Sequence, residues 1–286
     1  MGVRFADEVT PRDGFVQANG LRLHYLDWGR LEGRPLVLTH GLAQTCHSWD
    51  FTALALADRF RVLSFDLRGH GDSQWAPYGD YSLDSMVQDM RGAVEALGLR
   101  DEVVMGNSLG GRCALLYAAE YSETTKGLVV VDAAPEHLEG GSKRVRRFTQ
   151  QPDVLDSFDE FAERVQRYNH RRPREQVRGS LLHNLKPLGD GRWTWKYDPV
   201  LRTPAGMQFR QVRPERLWDA AAAVRCPTLL VRGASSDVVA EDTLDRMQRR
   251  ISGSVAVTVE NAGHLVAGDN PVGFQDAVTP FLESLA

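Results

Sequence analysis

Short runs of β-branched and aliphatic residues recur along most of this chain. Each is followed by a polar, glycine-containing turn and then by a stretch with apolar residues at helical spacing. Residues 15–18 and 21–28 alternate apolar and polar positions around Asn19-Gly20, the pattern of a β-hairpin. Residues 35–39, 61–66, 102–105, 127–131, 228–233 and 255–259 read as strands, several apolar enough to be buried on both faces. Helical period runs from Ser48 to Ala57, from Ser82 to a stop at Gly98, and from Leu109 to Tyr121. It returns at 241–250 and at 271–285. The alternation predicts an α/β fold, a mostly parallel sheet flanked by helices. Ligands of such sheets bind beyond the carboxyl ends of the strands, and His40, Asp66, Ser108 and Asp132 all fall there.

The rhythm fails after Pro135. From 136 to 215 there are helical pieces, at 158–168 and 173–185, and an aromatic cluster at Trp193, Trp195 and Tyr197, but no convincing sheet strand. The division predicted is a core of residues 1–135 and 216–286, with residues 136–215 inserted as a helical cap over the strand ends.

Composition narrows the class. The 286 residues are 42% hydrophobic and 25% charged, ordinary values for a globular protein. A formal net charge of -4 suggests neither a nucleic-acid nor a membrane partner. No apolar run is long enough for a signal peptide or a bilayer span, and Cys46, Cys113 and Cys226 form no disulfide framework. A cytoplasmic location is the expectation. The histidines show no metal-ligand spacing, and Gly69-His70-Gly71 lacks the lysine of a phosphate loop, so neither metal nor cofactor is expected.

The candidate chemistry lies at residues 103–111. Strand residues run into Gly106-Asn107-Ser108-Leu109-Gly110-Gly111 and then into a helix. G-x-S-x-G between strand and helix makes a nucleophile elbow: glycines permit the sharp turn, the serine hydroxyl stands exposed, and the helix aims its first N–H groups at the same spot.

With His40-Gly41, the polar loop Asp66 to Ser73, the elbow and Ala262-Gly263-His264 in this order, the chain resembles the α/β-hydrolase superfamily, in its serine-nucleophile esterase or lactonase-like branch. The resemblance covers nearly the whole chain and specifies fold far better than substrate. It implies Ser108 as nucleophile and His264 as base, with the backbone N–H groups of Leu42 and Leu109 as oxyanion hole. It leaves two candidates for the acid. Most family members carry it three residues beyond the glycine that ends the strand at 228–233, but that position is Ser236, and Asp237 comes one later. Subfamilies lacking the usual aspartate, bacterial thioesterase-like esterases among them, place it as Asp132 stands here. Asp132 is the favoured reading and Asp237 the alternative. A serine at the elbow excludes the aspartate nucleophile of the dehalogenase and epoxide-hydrolase branches.

The cap should set the substrate. Residues 136–216 hold seventeen Lys and Arg against eleven Asp and Glu, which suggests either solvated helix faces or attraction of a carboxylate-bearing substrate. His40, Trp49, Trp193 and Trp195 are candidate substrate contacts. The function expected is hydrolysis of a small-molecule ester or lactone through an acyl-enzyme. The rivals are cleavage of a C–C or amide bond in a carboxylated metabolite, and a ligand-binding signalling protein on the same fold.

Overall fold

The computed structural model describes residues 9–285. The hairpin forms as the sequence predicts: β1 (Arg12–Ala18) pairs antiparallel with β2 (Leu21–Gly29). Asn19 and Gly20 both take positive φ, 49° and 76°, as a two-residue turn joining right-twisted strands requires. The chain continues through β3 (Arg34–Thr39), α1 (Asp50–Leu56), β4 (Phe60–Phe65), α2 (Leu83–Ala96), β5 (Val103–Asn107), α3 (Leu109–Glu120) and β6 (Gly127–Val131). The helix expected from Ser48 begins instead as a 3-10 turn at Cys46–Trp49, and α1 follows it.

After β6 come α4 (Glu139–Thr149), β7 (Val154–Leu155), α5 (Phe158–Tyr168), α6 (Arg174–Asn184), β8 (Leu185–Pro187), β9 (Trp193–Trp195) and α7 (Pro204–Phe209). The main fold resumes with α8 (Pro214–Ala223), β10 (Thr228–Gly233), α9 (Glu241–Arg250), β11 (Val255–Val259), α10 (Val266–Asp269) and α11 (Pro271–Ser284).

Eight strands form one sheet in the order β1-β2-β4-β3-β5-β6-β10-β11. The pairs from β4 through β11 are parallel, whereas β2 joins β1 and β4 antiparallel. The pleat sends alternate side chains to opposite faces. Val104, Leu128 and Val130 pack with Met86 and Tyr117 on one face. Val103, Met105, Val129 and Val131 pack with Trp49 and Phe274 on the other. Burial on both sides explains why β5 and β6 read as unbroken apolar runs.

The segment between β6 and α8 contains strands that the sequence pattern did not reveal. β7, β9 and β8 form a small antiparallel sheet of their own, with Trp193–Trp195 as its middle strand. Strands of two or three residues are too short to show a period. Trp195 fixes this layer: its ring lies 4.9 Å from Phe161, edge to face, and 5.8 Å from Tyr197, stacked. Polar ties hold the segment to the sheet loops. Asp198 N–H donates to Gly69 O at 2.8 Å, Lys196 pairs with Asp72 at 2.7 Å, and Asn169 donates to Asp269 at 2.6 Å.

Candidate active site

β5 ends at Asn107, and the chain turns at once into α3 through Ser108, which takes φ 53° and ψ −111°. A non-glycine residue in that region is strained, and strain held by its surroundings marks functional turns. Those surroundings tolerate no bulk. A Cβ on Gly106 would lie 2.2 Å from Gly110 O, and one on Gly110 would lie 2.4 Å from Thr39 O. The two glycines of the motif are thus required by backbone approach.

Three side chains from three strand ends meet at this turn. Ser108 Oγ lies 2.9 Å from His264 Nε2, and His264 Nδ1 lies 2.7 Å from Asp132 Oδ2. A carboxylate only accepts, so the ring proton sits on Nδ1 and the Nε2 lone pair faces the serine hydroxyl. Asp132 follows β6 with φ 45°, a left-handed conformation that aspartate tolerates better than most residues. Its carboxylate is buried and also accepts from Gly233 N–H at 3.2 Å and from Ser236 Oγ at 2.7 Å.

Asp237, the other acid candidate, stands elsewhere. Its carboxylate faces Arg144 at 2.9 Å and is partly exposed, and among the described residues it makes no bond to His264. Ser236 occupies the loop position where the family's acid is expected. Its hydroxyl donates to Asp132 and accepts from Val238 N–H at 3.2 Å and Val239 N–H at 3.1 Å.

The backbone N–H groups expected to form the oxyanion hole belong to the loop after His40 and to the first residue of α3. His40 Nε2 accepts from Leu67 N–H at 3.0 Å, so its proton is on Nδ1 and donates to Gly41 O at 2.7 Å. In a trans peptide the carbonyl and the next N–H point to opposite sides. Anchoring Gly41 O to His40 therefore turns Leu42 N–H away from His40. A Cβ on Gly41 would sit 3.3 Å from Ser108 Cβ, so this loop lies against the serine. Leu109 N–H opens α3 beside Ser108. Among the described residues neither amide has a protein acceptor.

The substrate-contact candidates are placed unequally. His40 must be corrected: it is fully buried, both ring nitrogens are engaged, and burial lowers its pKa, so it positions the loop and lines neither chamber near Ser108. Trp193 must be corrected too. It packs against Phe158 at 5.4 Å and lines neither chamber near Ser108. Trp195 lines a chamber of about 100 Å³ that reaches Ser108 and His264. Val145, Phe148, Val165, Tyr168 and Leu181 are among the other residues of its apolar wall. Trp49 lines an adjoining chamber of about 480 Å³, which shares Gln44, Arg172, Ser180, Asn184 and Leu265 with the first.

The basic residues of the inserted segment separate in the same way. Arg146, Arg147, Arg171 and Arg174 are exposed, and Arg144 pairs with Asp237. Arg172 alone of this group is half-buried against both chambers. Burial lowers its pKa, and its Nε has no hydrogen-bond partner among the described residues.

Sequence reasoning missed Ser236, Asn107 and Gln44 as supports. Asn107 Nδ2 donates to Val131 O at 3.1 Å and His264 O at 3.2 Å, tying the histidine loop to the elbow. Gln44 Oε1 accepts from Gly41 N–H at 2.8 Å. Only Ser236 left a signal: a serine standing where an aspartate was expected.

The wider loop from Asp66 to Ser73 is a buried hydrogen-bond network. Arg68 makes two bonds of 2.6 Å to Asp89, and His24 Nδ1 lies 2.6 Å from Asp66. Burial pushes the Asp66 pKa up, but His24 and the nearby His40 outweigh it and bring it to about 2.

Comparison with known proteins shows the same fold. A family model described as the alpha/beta hydrolase fold matches residues 34–271. An esterase of Mycobacterium tuberculosis is 30% identical over 277 residues, covering 94% of this chain and 88% of the relative. A 3-hydroxybutyrate-oligomer hydrolase of Cupriavidus necator is 31% identical, covering 95% and 97%. The crystal structure of E-2-(acetamidomethylene)succinate hydrolase superposes with a TM-score of 0.87, at 22% identity, over 96% of this chain and all of that one. Among the described residues no helix is long and apolar enough to cross a membrane. The relatives are esterases and other hydrolases, and the chain belongs to the α/β-hydrolase family.

Proposed function

We propose that this protein hydrolyses a small-molecule ester or lactone through an acyl-enzyme on Ser108. The observation that supports this reading best is the continuous bond chain from Asp132 through His264 to Ser108, ending at an apolar-walled chamber. His264 Nε2 takes the serine proton as Oγ attacks the carbonyl carbon. The carbonyl electrons move onto oxygen, where the N–H groups of Leu42 and Leu109 receive the charge. The imidazolium, steadied by Asp132, then protonates the departing alkoxide. Water repeats the sequence and releases the acid. Asp132 stays ionised throughout and orients the ring. The names of the two curated relatives, an esterase and a 3-hydroxybutyrate-oligomer hydrolase, support ester chemistry.

Arg172 favours a substrate that also carries a carboxylate. A half-buried guanidinium with an unpartnered Nε beside the chamber gains most from an anion that can bond to it. The test is acid release from neutral esters, lactones and acid-terminated esters, with Ser108→Ala as blank. Turnover of esters above the blank is expected, and its absence rejects the ester reading. Arg172→Gln should lower the ratio of kcat/KM for anionic over neutral esters about tenfold. An unchanged ratio removes Arg172 from substrate recognition.

A further inference from the structure

A second cluster of chemistry-bearing side chains lies away from the serine. His47 and Asp50 stand where the 3-10 turn runs into α1, and His183 stands near the end of α6. The His47 and His183 rings stack with centroids 3.5 Å apart and planes 20° off parallel. His47 Nδ1 lies 3.0 Å from Asp50 Oδ2. One ligand atom from each of the three residues lies within 4.8 Å of the other two.

The hydrogen bonding here is incomplete. Asp50 Oδ1 is out of water and has no partner among the described residues. Neither His183 ring nitrogen, nor His47 Nε2, has a protein partner among them. The unpartnered ring nitrogens are open to solvent and so available to a ligand, beside a carboxylate oxygen that is not. Lys196 is held by Asp72 at 2.7 Å.

We propose that His47, Asp50 and His183 form a binding site for a divalent transition-metal ion that ties α6 to the start of α1 and narrows the way to Ser108. Two imidazoles and one carboxylate suit Zn²⁺, Ni²⁺ and Cu²⁺ and suit Mg²⁺ or Ca²⁺ poorly. Around a tetrahedral zinc, ligand atoms sit about 3.3 Å apart with each imidazole lone pair aimed at the ion, so binding requires the two stacked rings to turn out of their stack. Three protein ligands leave one position for water. All three residues line the larger chamber. Ser180 and Asn184, one turn before and one residue after His183 on α6, also line the chamber at Ser108. Metal held by α6 and α1 together therefore fixes the wall that both chambers share. The binding claim stands apart from the hydrolase reading; the inhibition claim rests on it.

The test begins with the chelator-stripped protein. Zn²⁺ is titrated calorimetrically, and Cu²⁺ is added to follow nitrogen couplings by electron paramagnetic resonance. One ion per chain, with coupling to two nitrogens, is expected. His183→Ala, His47→Ala and Asp50→Asn should each weaken Zn²⁺ binding at least about tenfold, with the fold checked by circular dichroism. Zn²⁺ should slow ester turnover in the unmodified chain and do so at least about tenfold less potently in His183→Ala. Binding no tighter than about millimolar, or unaltered in all three variants, overturns the site. Binding lost only in Cys46→Ser also overturns it, moving the metal to the buried set His24, Cys46 and Asp66, which has similar spacing. Zinc bound at the site with turnover unaffected overturns the narrowing.

Discussion

Among the described residues two buried histidines are hydrogen-bonded to carboxylates at the carboxyl edge of one sheet, with nearly equal bond lengths. His264 Nδ1 meets Asp132 at 2.7 Å, and His24 Nδ1 meets Asp66 at 2.6 Å. Both carboxylates also accept backbone N–H bonds, Asp132 from Gly233 and Asp66 from Cys46 and Asp72. The difference lies at the far ring nitrogen. His264 Nε2 faces the Ser108 hydroxyl beside a chamber. His24 Nε2 faces the exposed Asp13 carboxylate at 3.3 Å. A second carboxylate can stabilise a charged imidazole but offers nothing to activate. Pairing with an acid therefore does not make a histidine a base for catalysis. A nucleophile at the remaining nitrogen and space for a substrate do.

The comparison can be broken most severely at its endpoint. Ser108→Ala should remove turnover by about a million-fold in kcat while leaving the thermal melt unchanged. Substantial residual turnover would dissolve the distinction. The acids come next. Asp132→Asn should lower kcat about ten-thousand-fold through the wrong ring tautomer. Asp237→Asn should change it only a few-fold, because its carboxylate pairs with Arg144. A reversed ranking in single-turnover kinetics would return the acid role to Asp237.

Asp66→Asn should instead act on folding. Its folded pKa is about 2 against an ordinary 3.8, so the unfolded chain takes up protons first as pH falls. The stabilisation is thus present above pH 4 and fades as pH falls toward 2, by roughly 2 kcal/mol in all. Urea midpoints across that range should show the loss in the unmodified chain and a flatter profile in Asp66→Asn. The smallest effect should come from Ser236→Ala. It deletes one bond to Asp132 and should cost about tenfold in kcat, read as a kcat change with KM nearly constant.

Legibility in the sequence followed locality. The strands, the hairpin turn at Asn19-Gly20 and the glycines at 106 and 110 were readable because each depends on neighbours in the chain and on period. The small sheet β7-β9-β8 was not, since its strands are stabilised by pairing across the insertion and by aromatic contacts at Trp195. Trp193 and His40 were misplaced for a related reason. Residue type suggests contact with a substrate, whereas direction and burial depend on the packing around each side chain.

What the sequence alone determined is the order of elements, the parallel core and the identity of Ser108 as the residue at the strand-to-helix turn. Backbone sterics and hydrophobic period act over a few residues, so they are written locally. The tertiary structure decided which aspartate meets His264, which arginine stands against the chambers and which histidines stack. Those outcomes rest on distances between residues more than a hundred positions apart, as with Asp132 and His264. Only the closed packing of strands, loops and insertion fixes distances of that kind.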